Sequence, residues 1–159
     1  MRLDQLNALD AESAEHELLR CCGSARWARE MIASRPFGSV GAMTRSADAI
    51  WSSLDRADWL EAFAAHPKIG DRTASAWAAA EQSGSRGASG DVRDRLAAGN
   101  RDYEARFGYI FIVCATGKSA DEMLSLLEAR LANDPDTELT IAADEQRKIT
   151  NLRLAKLLT

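Results

Sequence analysis

One run in this chain, residues 109–116 (YIFIVCAT), has the β-branched and aromatic make-up of a buried strand. No second run of that kind exists in the 159 residues. A solitary strand cannot satisfy its own backbone N–H and C=O groups, which argues against a sheet. The run is therefore expected to be a buried extended segment or an irregular helix start, with amides that can face a ligand. The fold expected is all-α, a single-domain multi-helix bundle over residues 1–159. With 46% hydrophobic and 28% charged residues, the chain can bury one core and is too short for two comfortable domains.

Helix punctuation supports this reading. Asp10 is suited to cap a helix running to Cys22 and closed by Gly23, and Ser24 to cap a second one carrying Trp27 and Met31 that ends at Pro36. Between residues 42 and 54, Ile50, Trp51 and Leu54 share a face. A short helix from Asp58 then carries Trp59, Leu60 and Phe63. The tryptophans stand at helical spacing from other apolar residues, which reads as core packing and needs no cofactor. His16, among acidic neighbours, reads as a surface residue. Leu96, Gly99, Tyr103 and Phe107 mark an amphipathic helix stopped by Gly108. Ser119 with Glu122 forms a capping box for a helix that Asn133-Asp134-Pro135 stops, and a last helix runs from Thr137 to Leu158.

The net charge of −4 comes without a dense basic run, so neither nucleic acid nor an anionic membrane surface is an expected partner; a small-molecule substrate fits better. There is no stretch of about 18 apolar residues to span a membrane. Cys21, Cys22 and Cys114 are odd in number and show no metal-ligand spacing, which points to a reducing cytoplasm and to no metal site.

The chemistry is expected in residues 61–82 (EAFAAHPKIGDRTASAWAAAEQ). Pro67 ends the preceding helix and biases His66 toward extended backbone, setting the imidazole on a stiff corner, with a turn at Gly70-Asp71 beyond it. An Ala-rich helix from Thr73 then brings Ala78, Glu81 and Gln82 within one turn. A lone histidine is more often structural than catalytic, and a Glu-Gln pair is commonly a solvated helix end. Residues 83–90 (SGSRGASG) read as a lid over that pair or as an ordinary surface loop. Arg153 on the last helix can pair with a carboxylate or stay solvated.

Taken together, CCGSARWAREM and RPF within residues 21–37, DWLEAFAAHPKIGDR at 58–72, EQSG at 81–84, FGYIFIVCATGKSADEML at 107–124 and RLANDPDTELTIAADEQRKITNLRLAKL at 130–157 resemble one family, nearly end to end. It is the family of 2-oxo-4-hydroxy-4-carboxy-5-ureidoimidazoline (OHCU) decarboxylase, which makes (S)-allantoin in urate degradation. The resemblance implies an all-helical fold, cofactor-free catalysis and a homodimer. It also implies His66 as catalytic acid and Glu81 as its acidic companion. Substrate contacts would fall on Pro67, Ala78, Gln82, Phe111, Ile112, Val113, Cys114 and Ala115, with Arg153 a further candidate. One departure is visible: the family pattern carries a serine where this chain has Ala78. Two other classes compete. One is a hydrolase or isomerase of a related ureide using His66 as base; the other is a helical interaction module in which HPKIGD is only a turn.

Overall fold

The computed structural model describes residues 1–68, 76–85 and 89–159 of the chain. The described residues form helices and connections with no strand. They divide into two compact units, Met1–Ala62 with Gln146–Thr159, and Phe63–Glu145.

The first unit contains α1 (Leu3–Ala8), α2 (Ala11–Cys21), α3 (Ala25–Ala33), α4 (Val40–Ser53) and most of α5 (Arg56–Ala64), together with the last turns of α9 (Pro135–Leu157). Asp10 and Ser24 cap their helices as expected, accepting from the amides of Ser13 and Trp27. Gly23 does not close α2: that helix ends on Cys22 in an extended conformation, so a left-handed glycine is not needed there. Leu6, Leu18, Trp27, Met31 and Met43 are fully buried. The indole of Trp27 also donates to the Ala47 carbonyl at 3.2 Å, so its polar edge is satisfied inside the core. Trp59 departs from the core reading. It is only partly buried and leans on Trp51, to whose carbonyl it donates at 3.0 Å. Its helix starts before Asp58, because the Asp55 carboxylate already accepts from the Asp58 amide at 3.1 Å.

The second unit holds α6 (Ala76–Glu81), a 3₁₀ turn (Ser83–Ser85), α7 (Gly90–Phe107), α8 (Ala120–Arg130) and the start of α9. Ser89 caps α7, and Gly108 ends it at φ 86°, a left-handed conformation that a side chain would disfavour. Where α7 meets α8 the backbone comes close. A Cβ at Gly99 would lie 2.6 Å from a methyl of the buried Leu127, so that leucine would have to shift to admit a side chain there. The Ser119–Glu122 capping box opens α8. Pro135, expected only to stop a helix, is instead the first residue of α9. Its missing N–H costs nothing at that position, and Asp134 caps the helix by accepting from the Thr137 amide at 3.1 Å.

Residues 109–116 are neither strand nor helix. They pass through the second unit as a buried, irregular segment: Phe111, Ile112, Val113, Cys114 and Ala115 are 2–8% exposed. Tyr103, Phe107, Tyr109, Phe111 and Phe63 pack as a run of aromatic pairs with ring centroids 4.6–6.3 Å apart. Among the described residues no helix is long and apolar enough to cross a membrane.

Candidate functional site

His66 leaves the end of α5, where its amide donates to the Phe63 carbonyl at 3.1 Å. The imidazole and the following Pro67 are partly buried. Phe63 is fully buried and stacks on Tyr109 at 5.2 Å, which ties the histidine corner to the head of the buried segment. Lys68 pairs with Glu104 of α7 at 2.9 Å. The turn read at Gly70-Asp71 and the helix start read at Thr73 lie outside the described residues.

Helix α6 carries two candidates, and a third follows its last residue. Ala78 is buried, Glu81 is only 8% exposed, and Gln82 follows with its amide donating to the Ala78 carbonyl at 3.0 Å. Glu81 is therefore no solvated helix end. The 3₁₀ turn after it is pressed onto the loop before α8, since a Cβ on Gly84 would lie 1.9 Å from the Lys118 carbonyl oxygen. That obstacle is backbone and cannot rotate away. Gly84→Ala is accordingly expected to destabilise the protein by about 1–3 kcal/mol, the usual cost of overpacking. An unchanged urea midpoint would show that this contact does not matter. The lid reading of residues 83–90 falls partly outside the described residues.

The buried segment is held by both edges of Cys114. Its amide donates to Glu145 Oε1 at 3.1 Å and its carbonyl accepts from Lys118 Nζ at 2.8 Å. This corrects the expectation of ligand-facing amides throughout: the Cys114 amide is taken by a protein carboxylate. For the amides of Ile112 and Val113 no acceptor is found among the described residues. Burial raises the Cys114 thiol above its usual range. Lys118 opposes that shift, whereas Glu145 and Glu81 reinforce it. Burial thus favours the neutral thiol and disfavours a thiolate nucleophile at Cys114. Cys21 and Cys22 are likewise unbridged, with burial pushing both thiols up to about 12.

Arg153 belongs to the other unit, where it donates to the Arg20 carbonyl at 3.2 Å. Sequence reasoning misses Glu145 and Lys118. Glu145 is 31 residues from the amide it binds, and no local spacing announces such a pair. Among the described residues no cluster of His, Cys, Asp and Glu could hold a metal ion.

Fold and site together define an all-α domain in which one compact unit holds a buried carboxylate, Glu81, and a buried, non-helical segment. The family model for OHCU decarboxylase matches residues 7–155. A uric acid degradation bifunctional protein of Arabidopsis thaliana is 41% identical over 92% of this chain, which spans 48% of that protein's length. The OHCU decarboxylase of Haloferax volcanii is 29% identical, with 98% of this chain and 95% of that protein covered. Among solved structures, a crystal structure of OHCU decarboxylase in the presence of (S)-allantoin superposes with a TM-score of 0.80 at 40% identity, covering 89% of this chain and 96% of that one. The chain belongs to the OHCU decarboxylase family, a family of carboxy-lyases.

Proposed function

We propose that this chain decarboxylates 2-oxo-4-hydroxy-4-carboxy-5-ureidoimidazoline to (S)-allantoin without a cofactor, using His66 as general acid and Glu81 as its acidic partner. The supporting observation is the buried carboxylate of Glu81 at the end of α6, in the same compact unit as His66 and the buried segment. As CO2 leaves, the electron pair of the broken C–C bond passes into the ring, which holds it as an enolate-like system. What remains is the delivery of one proton to one face. An imidazole, with an ordinary pKa near 6.5, can donate close to neutral pH. Glu81 either orients the substrate hydroxyl or favours the protonated imidazole. Pro67 stiffens the histidine corner, Gln82 can donate to and accept from the ureido amide, and residues 111–115 line the site, with the amides of Ile112 and Val113 as backbone donors while that of Cys114 is held by Glu145. Arg153 is a further substrate contact in this reading.

Circular dichroism of the product made from enzymatically generated substrate tests the proposal. Spontaneous decay yields racemic allantoin, so a single enantiomer is the expected result and a racemate would refute it. The family model runs through both units, which supports one functional domain over residues 1–159. Three unbridged cysteines support a reducing, cytoplasmic setting. The active form is read as a homodimer, to be checked by light scattering.

Ala78 gives a finer test. It lies one helical turn before Glu81 and Gln82, so a serine hydroxyl there would border the same pocket. Ala78→Ser is expected to add one hydrogen bond to bound substrate, worth about 0.5–1.5 kcal/mol, or roughly two- to tenfold in kcat/KM. No change would mean that a water already serves the same atom. A tenfold drop in a folded protein would remove this turn from the site.

A further inference from the structure

We propose that Arg130, at the end of α8, is a positioning residue for this reaction, aiming the Val113 amide at an oxygen of the substrate from behind the buried segment. The inference rests on the reading that residues 111–115 contact substrate. Arg130 is 7% exposed and Glu138, its partner, is fully buried. Nε and Nη2 of the guanidinium bind Glu138 Oε2 at 2.9 and 2.6 Å, while Nη1 turns the other way and donates to the Ile112 carbonyl at 2.7 Å. The guanidinium also lies 4.5 Å from the centre of the Phe111 ring. Glu138 is held in turn by the Tyr103 hydroxyl and by the Asn133 amide at 3.1 Å. Burial, together with that hydrogen bond, pushes the Tyr103 phenol well above its ordinary value, so it remains a donor. Side chains of three helices therefore fix the guanidinium that holds one carbonyl of a segment with no helix or ladder of its own.

The consequence follows from peptide geometry. The Ile112 carbonyl and the Val113 N–H belong to one planar trans unit and point in opposite directions. Anchoring the carbonyl to Arg130 turns the N–H away from Arg130, and no acceptor for it is found among the described residues. One residue further on, Lys118 and Glu145 clamp Cys114, so the peptide plane between these anchors cannot rotate freely. A fixed donor of this kind suits a ring or ureido carbonyl oxygen, or the departing carboxylate.

The test separates charge from geometry. Arg130→Lys keeps a cation for Glu138, but a single ammonium cannot reproduce the fork that also reaches Ile112. Tyr103→Phe disturbs the same cluster while leaving the Arg130–Ile112 bond in place. Both variants are compared with a wild type that yields one enantiomer, so failure of the reaction itself would be seen first and separately. Arg130→Lys is expected to raise KM about tenfold with kcat within about threefold, the signature of a lost binding hydrogen bond, and Tyr103→Phe to leave KM within about twofold. A folded Arg130→Lys with wild-type KM would overturn the proposal, as would a Tyr103→Phe that raises KM equally. If Arg130→Lys does not fold, hydrogen exchange of the wild type with and without (S)-allantoin decides. Protection of the Val113 amide by the product supports the assignment, and an unprotected Val113 amide refutes it.

Discussion

His66→Asn is expected to lower kcat by roughly 10²–10⁴-fold, the usual worth of a positioned general acid, and to leave a product that is close to racemic. The fold should survive. The hydrogen bond that His66 makes to the Phe63 carbonyl comes from its backbone amide, and the side chain is only partly buried, so asparagine removes the titrating group without opening the core. Rates would be followed by circular dichroism on freshly generated substrate, with the spontaneous decay subtracted. A folded variant that keeps more than about a third of wild-type kcat would rule out the acid role, because that loss is far smaller than general acid catalysis implies. The result also separates the readings of the histidine corner: an interaction module would lose no turnover.

Arg130→Met should cost about 3–5 kcal/mol of stability, since it leaves the fully buried Glu138 without its cation. Arg130→Met combined with Glu138→Gln should recover most of that loss. The neutral amide oxygen can still accept from the Tyr103 hydroxyl, its NH2 can donate to Asn133 once that side-chain amide turns its oxygen inward, and no buried charge remains. Urea unfolding of the two variants, with m-values compared, measures both numbers. A single variant that loses less than about 1 kcal/mol would mean that the pair is not insulated from water as its burial indicates. A double variant no more stable than the single would mean that shape, not charge, is what the pair contributes. A surface pair behaves differently: Arg95 and Glu128, joined at 2.7 Å but about half exposed, should contribute little, because solvent screens both charges.

The local features of the fold were legible because they depend on neighbours a few residues apart. Ser24 and Ser119 with Glu122 begin helices, and Gly108 ends one, as their spacing indicates. Errors arose where one residue has two uses. Pro135 both ends one helix and begins another, and nothing in the string chooses between them until Asp134 is seen to cap α9. Trp59 has the spacing of a core residue yet sits at the edge, because amphipathic spacing tells which face turns inward and not how deeply. At the candidate site, Glu81 and Gln82 were visible as a polar pair one turn beyond Ala78, but the burial of Glu81 was not: six residues of helix look the same whether solvent or a neighbouring segment covers them.

The all-α class is legible in the residues alone. Helical backbone hydrogen bonds close within four residues, and a single strand-like run has no partner, so the choice needs no knowledge of distant contacts. Its family followed from the order of motifs along the chain. How residues 109–116 are held depends on packing between distant parts of the chain. The Ile112 carbonyl finds Arg130 at a separation of 18 residues, the Cys114 amide finds Glu145 at 31, and the Tyr103 hydroxyl finds Glu138 at 35. Those partners are selected by which helices pack beside the segment, and buried polar groups take whichever donor or acceptor the packing presents.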